Sequence, residues 1–149
     1  YYSRSVDGLA TASSRAHSTD VLRLLGWENV ADAKPGDLFE VTRQELLSWQ
    51  PQAIFAPNAE DIKAFAAPDW ASLPAVAQHR VFAAPRPPFG WIDEPPSVNR
   101  LLGLLWAGHL LYPAAYPEDP RAEAKAFYRL FYQVEPSEQQ LDRLLAAAP

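Results

Sequence analysis

The sequence predicts an α/β domain with a mostly parallel central sheet, helices on both faces and a helical C-terminal region. Two observations favour this class. Short apolar runs bounded by turn residues alternate with segments whose apolar residues recur at helical spacing. Three such runs are predicted strands, and each is followed by a loop and a helix, as parallel strands require. The expected architecture is three-layered and Rossmann-like.

The first strand–loop–helix unit occupies the N-terminal region. Tyr1–Val6 is a predicted strand, and the Asp-Gly pair at positions 7 and 8 supplies turn chemistry that ends it. A Ser/Thr-rich loop leads to a predicted helix, which Ser18 or Thr19 can cap and which Gly26 ends. This unit places a loop at the carboxyl end of the first strand.

The second unit repeats this order. Thr42 and Glu45 have the spacing of a capping box at the start of a helix, and Pro51 ends that helix. The apolar run Ala53–Ala56 is then predicted to be a short buried strand. A second loop therefore leaves the sheet after position 56.

The rest of the chain adds one strand and several helices. We expect a helix over Glu60–Ala67, a third strand over Arg80–Ala84, and a core helix from about position 98 to Tyr112. Two further helices start at Asp119-Pro120 and at Ser137, where Gln140 completes a capping box. We expect the Ala146–Pro149 end to fray.

Composition excludes several classes of function. The 149 residues carry a net charge of −5, which argues against a nucleic-acid surface, and the absence of cysteine excludes disulfides and thiolate metal sites. The longest apolar run, Leu101–Tyr112, is too short to span a membrane. The three histidines are too scattered for a metal site, and His109 on an apolar helix face is expected to be structural. No catalytic or nucleotide-binding motif is present, so we expect neither an enzyme nor a cofactor.

The candidate site follows from the predicted sheet. Loops that leave the carboxyl ends of parallel strands converge on one edge, where open α/β folds bind ligands. Rigid aromatic side chains beside guanidinium groups suit a bulky, anionic ligand. The candidate ligand-binding residues at this edge are Arg4, Asp7, Asn58, Arg86, Phe89, Trp91, Asn99 and Arg100.

Segments along the whole chain resemble a known family. "YYSRSVDGLATA", "EVTRQELLSWQPQAIF" and "PFGWIDEPPSVNRLLGLLWAGHLLYP", in this order and spacing, resemble the C-terminal lobe of the substrate-binding proteins of ABC importers for iron complexes. That group includes receptors for haem, cobalamin and molybdate or tungstate. The resemblance implies that residues 1–149 form a single lobe and that an N-terminal lobe and a linking helix are absent from this chain.

The resemblance also implies a function. The lobe would help to capture a ferric siderophore or haem in a cleft between two lobes and deliver it to the permease subunits. The alternative ligands are cobalamin and molybdate or tungstate. A periplasmic or extracellular location and a monomer are expected, and lipid anchoring through the missing N-terminus is left open. Family members dock onto the permease through a glutamate, which here is replaced by Gln44, with Glu45 as the neighbouring acid.

Each candidate also has a purely structural alternative. Glu45 can serve only the helix cap, Asp7 only the turn, and Asn99 only the start of a helix. Phe89 and Trp91 can cover the edge of the core, and the arginines can be ordinary surface cations. A small α/β enzyme or a stand-alone interaction domain remains the alternative from another functional class.

Overall fold

The computed structural model describes residues 1–146 and contains two short strand pairs. Strands β1 (Ala10–Ala12) and β2 (Leu38–Glu40) are antiparallel, whereas β3 (Ile54–Ala56) and β4 (Val81–Ala83) are parallel, with Phe55 opposite Phe82. The expected fraying of the chain end concerns positions 147–149, which lie outside the described residues.

The N-terminal segment joins the two pairs into one layer. Tyr2 forms a parallel bridge with Phe55, and Ser3 forms an antiparallel bridge with Thr11. The backbone N–H of Ser3 donates to the carbonyl of Phe55 at 2.8 Å, and that of Arg4 donates to the carbonyl of Ala10 at 2.9 Å. The spatial order is therefore β2, β1, N-terminal segment, β3, β4. The predicted first strand lies in the middle of the sheet, but its ladder is shorter than Tyr1–Val6.

Helices cover both faces of this layer. One face carries α1 (Asp20–Leu24), α4 (Asn99–Leu111), α5 (Pro120–Tyr132) and α6 (Glu138–Leu145), whose apolar residues join Phe55 and Phe82 in one core cluster. The other face carries α2 (Arg43–Trp49), α3 (Pro74–Ala77) and the 3-10 turns Glu60–Ala66 and Pro68–Trp70. Two more 3-10 turns, His17–Thr19 and Val30–Ala33, lie in the loops near α1. The α/β class with three layers is confirmed.

Local capping motifs decide where several helices begin. Thr42 accepts a hydrogen bond from the N–H of Glu45 at 3.2 Å, and the Glu45 carboxylate accepts one from the N–H of Thr42 at 2.7 Å. Ser137 and Gln140 form the same reciprocal pair, and the Asp119 side chain accepts from the N–H of Arg121. These three predicted helix starts are confirmed.

The start of α1 differs from the prediction. Neither Ser18 nor Thr19 caps the helix; the Thr19 hydroxyl donates instead to the carbonyl of Ser13 at 2.8 Å. The physical reason is the 3-10 turn at 17–19, which gives Thr19 a φ of −106° and ψ of 3° instead of the extended conformation of a capping residue. Gly26 at φ +78° follows the helix as predicted.

Two other features of residues 1–146 bear on function. None of these helices has the length and apolarity that crossing a bilayer requires. His109 lies half-buried on α4, with its Nε2 atom 2.8 Å from the Glu123 carboxylate of α5, so it joins two helices, as expected for a structural histidine.

Candidate functional site

The three loops at the carboxyl ends of the N-terminal segment, β3 and β4 meet at one edge of the sheet. The Ser3 hydroxyl donates to the backbone carbonyl of Asp61 at 2.9 Å, which joins the first loop to the turn after β3. The Arg4 guanidinium contacts both Asp93 and Glu94, which lie in the loop after β4. The sheet edge that the sequence predicted is therefore assembled from these three connections.

Arg4 connects two of the loops at this edge through ion pairs. Its Nη2 atom lies 2.8 Å from the Glu94 carboxylate, its Nη1 atom pairs with Asp93, and its guanidinium lies 5.9 Å from the centre of the Tyr2 ring. Burial, with the Asp93 charge as the second cause, raises the pKa of Tyr2 well above its ordinary value, so the hydroxyl remains a neutral donor toward Asp93. Arg4 has its charge compensated within the chain and connects two loops.

Asn58 and Asp7 organise the turns in which they lie. The side-chain oxygen of Asn58 accepts from the N–H groups of Glu60 and Asp61 at 2.9 and 3.1 Å, and its amide donates to the Asp61 carboxylate at 2.8 Å. Asp7 accepts from the N–H of Leu9 at 3.0 Å. Both residues lie at the edge, and their hydrogen bonds stay within their own loops.

The proline-rich loop places its two aromatic side chains in different environments. Phe89 is 42% exposed, whereas Trp91 is only 1% exposed and belongs to the core cluster under the sheet. The expectation that Trp91 faces the ligand is therefore wrong, because the loop crosses the end of the sheet and turns the indole inwards. The carbonyl of Trp91 lies so close to Gly103 of α4 that an added Cβ would be 1.8 Å from its oxygen.

Asn99 and Arg100 support the loop from the first turn of α4. Asn99 is fully buried; its amide donates to the carbonyl of Phe89 at 2.8 Å, and its oxygen accepts from the Tyr132 hydroxyl at 2.6 Å. Arg100 donates to the carbonyl of Ile92 at 3.0 Å and also contacts the carbonyl of His17. Both were expected at the ligand edge, but the structure uses their polar groups to hold the fold.

Two of the predicted side chains on the loop after β4 are exposed to solvent. Arg86 and Phe89 are exposed on the loop after β4, and within residues 1–146 Arg86 has no acidic group within 4 Å. Sequence reasoning missed Asp93 and Glu94, although they stand in the same proline-rich stretch as the predicted aromatics. It also missed Arg143 of α6, which lines a cavity with Arg86 and Asn58 and had no motif to signal it.

A resident metal is not provided for by the described residues. Between positions 1 and 146, no group of three or more His, Asp or Glu side chains is arranged to hold one. The exposed groups on the loop after β4 include the Phe89 ring and the Arg86 guanidinium.

The predicted permease-docking residues lie at the start of α2, on the face of the sheet opposite to α4, α5 and α6. Gln44 is exposed, whereas both carboxylate oxygens of Glu45 are engaged: one by Thr42 and the other by Lys34 at 2.9 Å. The backbone hydrogen bond from Thr42 and the Lys34 ammonium lower the pKa of Glu45 to about 2. The capping role of Glu45 is thus observed, and docking at this position stays a prediction.

Removing the Glu45 carboxylate should give a pH-dependent loss of stability. A carboxyl group whose pKa falls to about 2 on folding, from an ordinary value of 4.5, contributes stability above pH 4.5 that is lost as the pH falls through about 2. We expect Glu45→Ala to melt below the wild type at pH 7 and the difference in melting temperature to shrink towards pH 2. Circular dichroism melts at several pH values measure this. Glu118→Ala, at an exposed loop position, is the control for loss of one acid, and a difference that does not vary with pH would contradict the assignment.

The chain is similar to proteins of known structure. No family model and no curated protein matches. Among solved structures, an ABC-transporter solute-binding protein from Sulfurospirillum deleyianum is 33% identical over 98% of this chain and 46% of its own, with a TM-score of 0.85. The resemblance to ABC-importer solute-binding proteins is confirmed.

Two other such proteins have the same fold. A periplasmic solute-binding protein from Veillonella parvula is 25% identical over 97% of this chain and 46% of its own (TM-score 0.82). The molybdate periplasmic binding protein MolA of Haemophilus influenzae, solved with molybdate, is 24% identical over 91% and 42% (TM-score 0.73). The chain thus spans slightly less than half the length of these solute-binding proteins.

Proposed function

We propose that this chain is the C-terminal lobe of a solute-binding protein that captures a small molecule for an ABC importer and performs no chemistry on it. The observation that carries the proposal is the likeness, over 98% of the chain and at 33% identity, to a solute-binding protein of an ABC transporter. The converging strand-end loops support it, because open α/β folds bind ligands beyond the carboxyl ends of their strands.

The rest of the proposal concerns the whole receptor. A second lobe and a linking helix complete the cleft, and the closed form traps the solute because only then do both lobes contact it. The receptor acts as a monomer outside the cytoplasmic membrane and passes its solute to the permease subunits. One lobe alone contributes only half of the contacts, so it binds weakly.

The solute we propose is an anionic iron complex, such as a ferric siderophore or haem. Phe89 offers an exposed aromatic ring and Arg86 an exposed cation on the same stiff loop. The second candidate is a small oxyanion such as molybdate. The burial of Trp91 favours that candidate, because it removes one of the two aromatic surfaces and leaves guanidinium groups at the edge.

The test is a solute panel on the full-length protein, titrated by calorimetry with a ferric siderophore, haem, cobalamin and molybdate. We expect one of the four to bind, and Arg86→Ala to weaken that binding about tenfold, as for loss of one charge-assisted contact. Arg80→Ala is the matched control, since Arg80 precedes β4 and lies at the opposite end of the strand. Its affinity should equal that of the wild type.

Two results would count against the proposal. If no solute in the panel binds or raises the melting temperature, the proposed solutes are refuted. If Arg86→Ala and Arg80→Ala bind equally well, the function stands and the edge at Arg86 is not the binding surface.

A further inference from the structure

An apolar groove lies beside the proline-rich loop, outside the set of strand-end residues. Its volume is about 360 Å³, and its walls come from the loop, from the end of α5 and from α6. The residues that form it are largely apolar or aromatic: Pro87, Pro88, Tyr128, Tyr132, Val134 and Leu144. A groove of this size accommodates part of a drug-sized molecule.

Hydrogen bonds hold the groove in shape. The Tyr128 hydroxyl donates to the carbonyl of Pro87, and the Tyr132 hydroxyl donates to Asn99 at 2.6 Å. Asn99 in turn donates to the carbonyl of Phe89, so both tyrosines are tied to the loop that forms the facing wall. Because the walls are fixed before a ligand arrives, binding costs little ordering.

The groove adjoins a smaller cavity at the carboxyl end of β4. This cavity has a volume of about 170 Å³ and is lined by Asn58, Arg86 and Arg143 together with backbone of the strand end. Pro87, Arg143 and Leu144 line both spaces, so the two are adjacent. The groove is mainly apolar, and the cavity beside it is cationic.

The two arginines of the cavity have no acidic group within 4 Å, a property that they share, among residues 1–146, with Arg80 and Arg129, which do not line the cavity. Arg4, Arg100 and Arg121 all have acidic groups within 4 Å. Across the described positions 1–146, neither Arg86 nor Arg143 has such a partner. Two guanidinium groups at one cavity, neither with an acidic group within 4 Å, favour an anionic group, which they can bind by charge-assisted hydrogen bonds.

We propose that the solute surface of this lobe extends from the sheet edge into the groove between α5 and α6. It takes an amphiphilic anion whose apolar, aromatic body lies against Tyr132 and Pro88 and whose carboxylate-like group is held by Arg86 and Arg143. This inference rests on the proposed receptor function and specifies the class of its solute. Charge complementarity and the position of the groove beside the sheet edge select such a solute over a second protein chain.

The experiment uses three matched probes on the full-length protein, measured by calorimetry. 2-Naphthoate has an aromatic body and a carboxylate, 2-naphthol has the body without the charge at neutral pH, and molybdate has the charge without the body. We expect 2-naphthoate to bind at least about tenfold more tightly than either of the others, because only it satisfies both ends of the space.

Variants locate the site. Arg143→Ala should weaken 2-naphthoate binding about tenfold, and Val134→Asp, which places a negative charge on the exposed groove wall, should weaken it by at least as much. Arg129→Ala removes an exposed arginine of α5 that does not line the groove, and its affinity should be unchanged. Equal melting temperatures will show that all three variants are folded.

The outcomes separate this inference from the receptor function. Failure of 2-naphthoate to bind the wild type, or equal binding by Arg143→Ala and Arg129→Ala, overturns the groove proposal even if a solute of the first panel binds. If 2-naphthoate binds in a way that depends on Arg143 and no solute of the first panel binds, the groove proposal is supported and the solutes of that panel are refuted. If a second lobe or a second copy of the chain covers the groove, 2-naphthoate will not bind, and this result also overturns the proposal.

Discussion

Replacing Trp91 by alanine should destabilise the lobe by about 3–5 kcal/mol, the range for deleting a fully buried large aromatic side chain. The indole is 1% exposed and shares the core cluster with Phe55 and Trp106, so its removal leaves a cavity beneath the sheet edge. Urea unfolding followed by circular dichroism measures the loss. The loop after β4 would lose its anchor at the same time, and solute binding should weaken with stability.

Phe89→Ala is the matched control, two positions earlier in the same loop. Its ring is 42% exposed, so we expect its unfolding free energy to stay within about 1 kcal/mol of the wild type. If Phe89 contacts the solute, this variant weakens binding without loss of stability. Equal stability losses in the two variants would contradict the assignment of Trp91 to the core and Phe89 to the surface.

The features that sequence predicted correctly are mostly local. A capping box depends on two side chains three positions apart, so Thr42 with Glu45 and Ser137 with Gln140 could be recognised directly. The strand at 54–56 is a short apolar run between a proline and an Asn turn, which is also a local signal. Gly26 follows α1 with a positive φ of +78°, a conformation that glycine adopts readily because it has no Cβ, so this helix end can be read from the residue itself.

The features that sequence missed depend on distant partners. Strands β1 and β2 have three residues each, and β2 is largely exposed, so no alternation marks them until they pair. The burial of Trp91 depends on how the loop crosses the sheet, which proline content alone does not specify. Arg143 reaches the edge only because α6 packs beside the loop, and nothing in its neighbouring sequence indicates this.

The predicted site residues come from loops that meet at one sheet edge, but several of them have structural roles. Arg86 and Phe89 are exposed, whereas Asn99 and Arg100 donate hydrogen bonds to backbone carbonyls. In the sequence, a polar side chain that supports a loop looks the same as one that binds a ligand. Both roles use the same polar residue types close to a loop. Only the positions of the carbonyl groups distinguish the two.

Replacing Gly103 by alanine tests how α4 holds the loop. In an open helix this substitution would stabilise by up to about 1 kcal/mol, because glycine is the poorer helix former. Here the new Cβ would lie 1.8 Å from the carbonyl oxygen of Trp91, and a backbone atom cannot move aside as a side chain can. We therefore expect the opposite sign: a loss of about 3 kcal/mol, at the upper end for overpacking, measured by urea unfolding.

Gly108→Ala provides the comparison within the same helix. The new Cβ there would lie 2.5 Å from the ring of Tyr116, which belongs to a loop side chain that can rotate away. We expect this variant to change stability by less than about 1 kcal/mol, since helix propensity offsets the small displacement. A Gly103 variant as stable as the Gly108 variant would mean that the loop can retreat from α4. In that case Asn99 and Tyr132, and not the close contact of helix and backbone, would hold Phe89 and Arg86 at the edge.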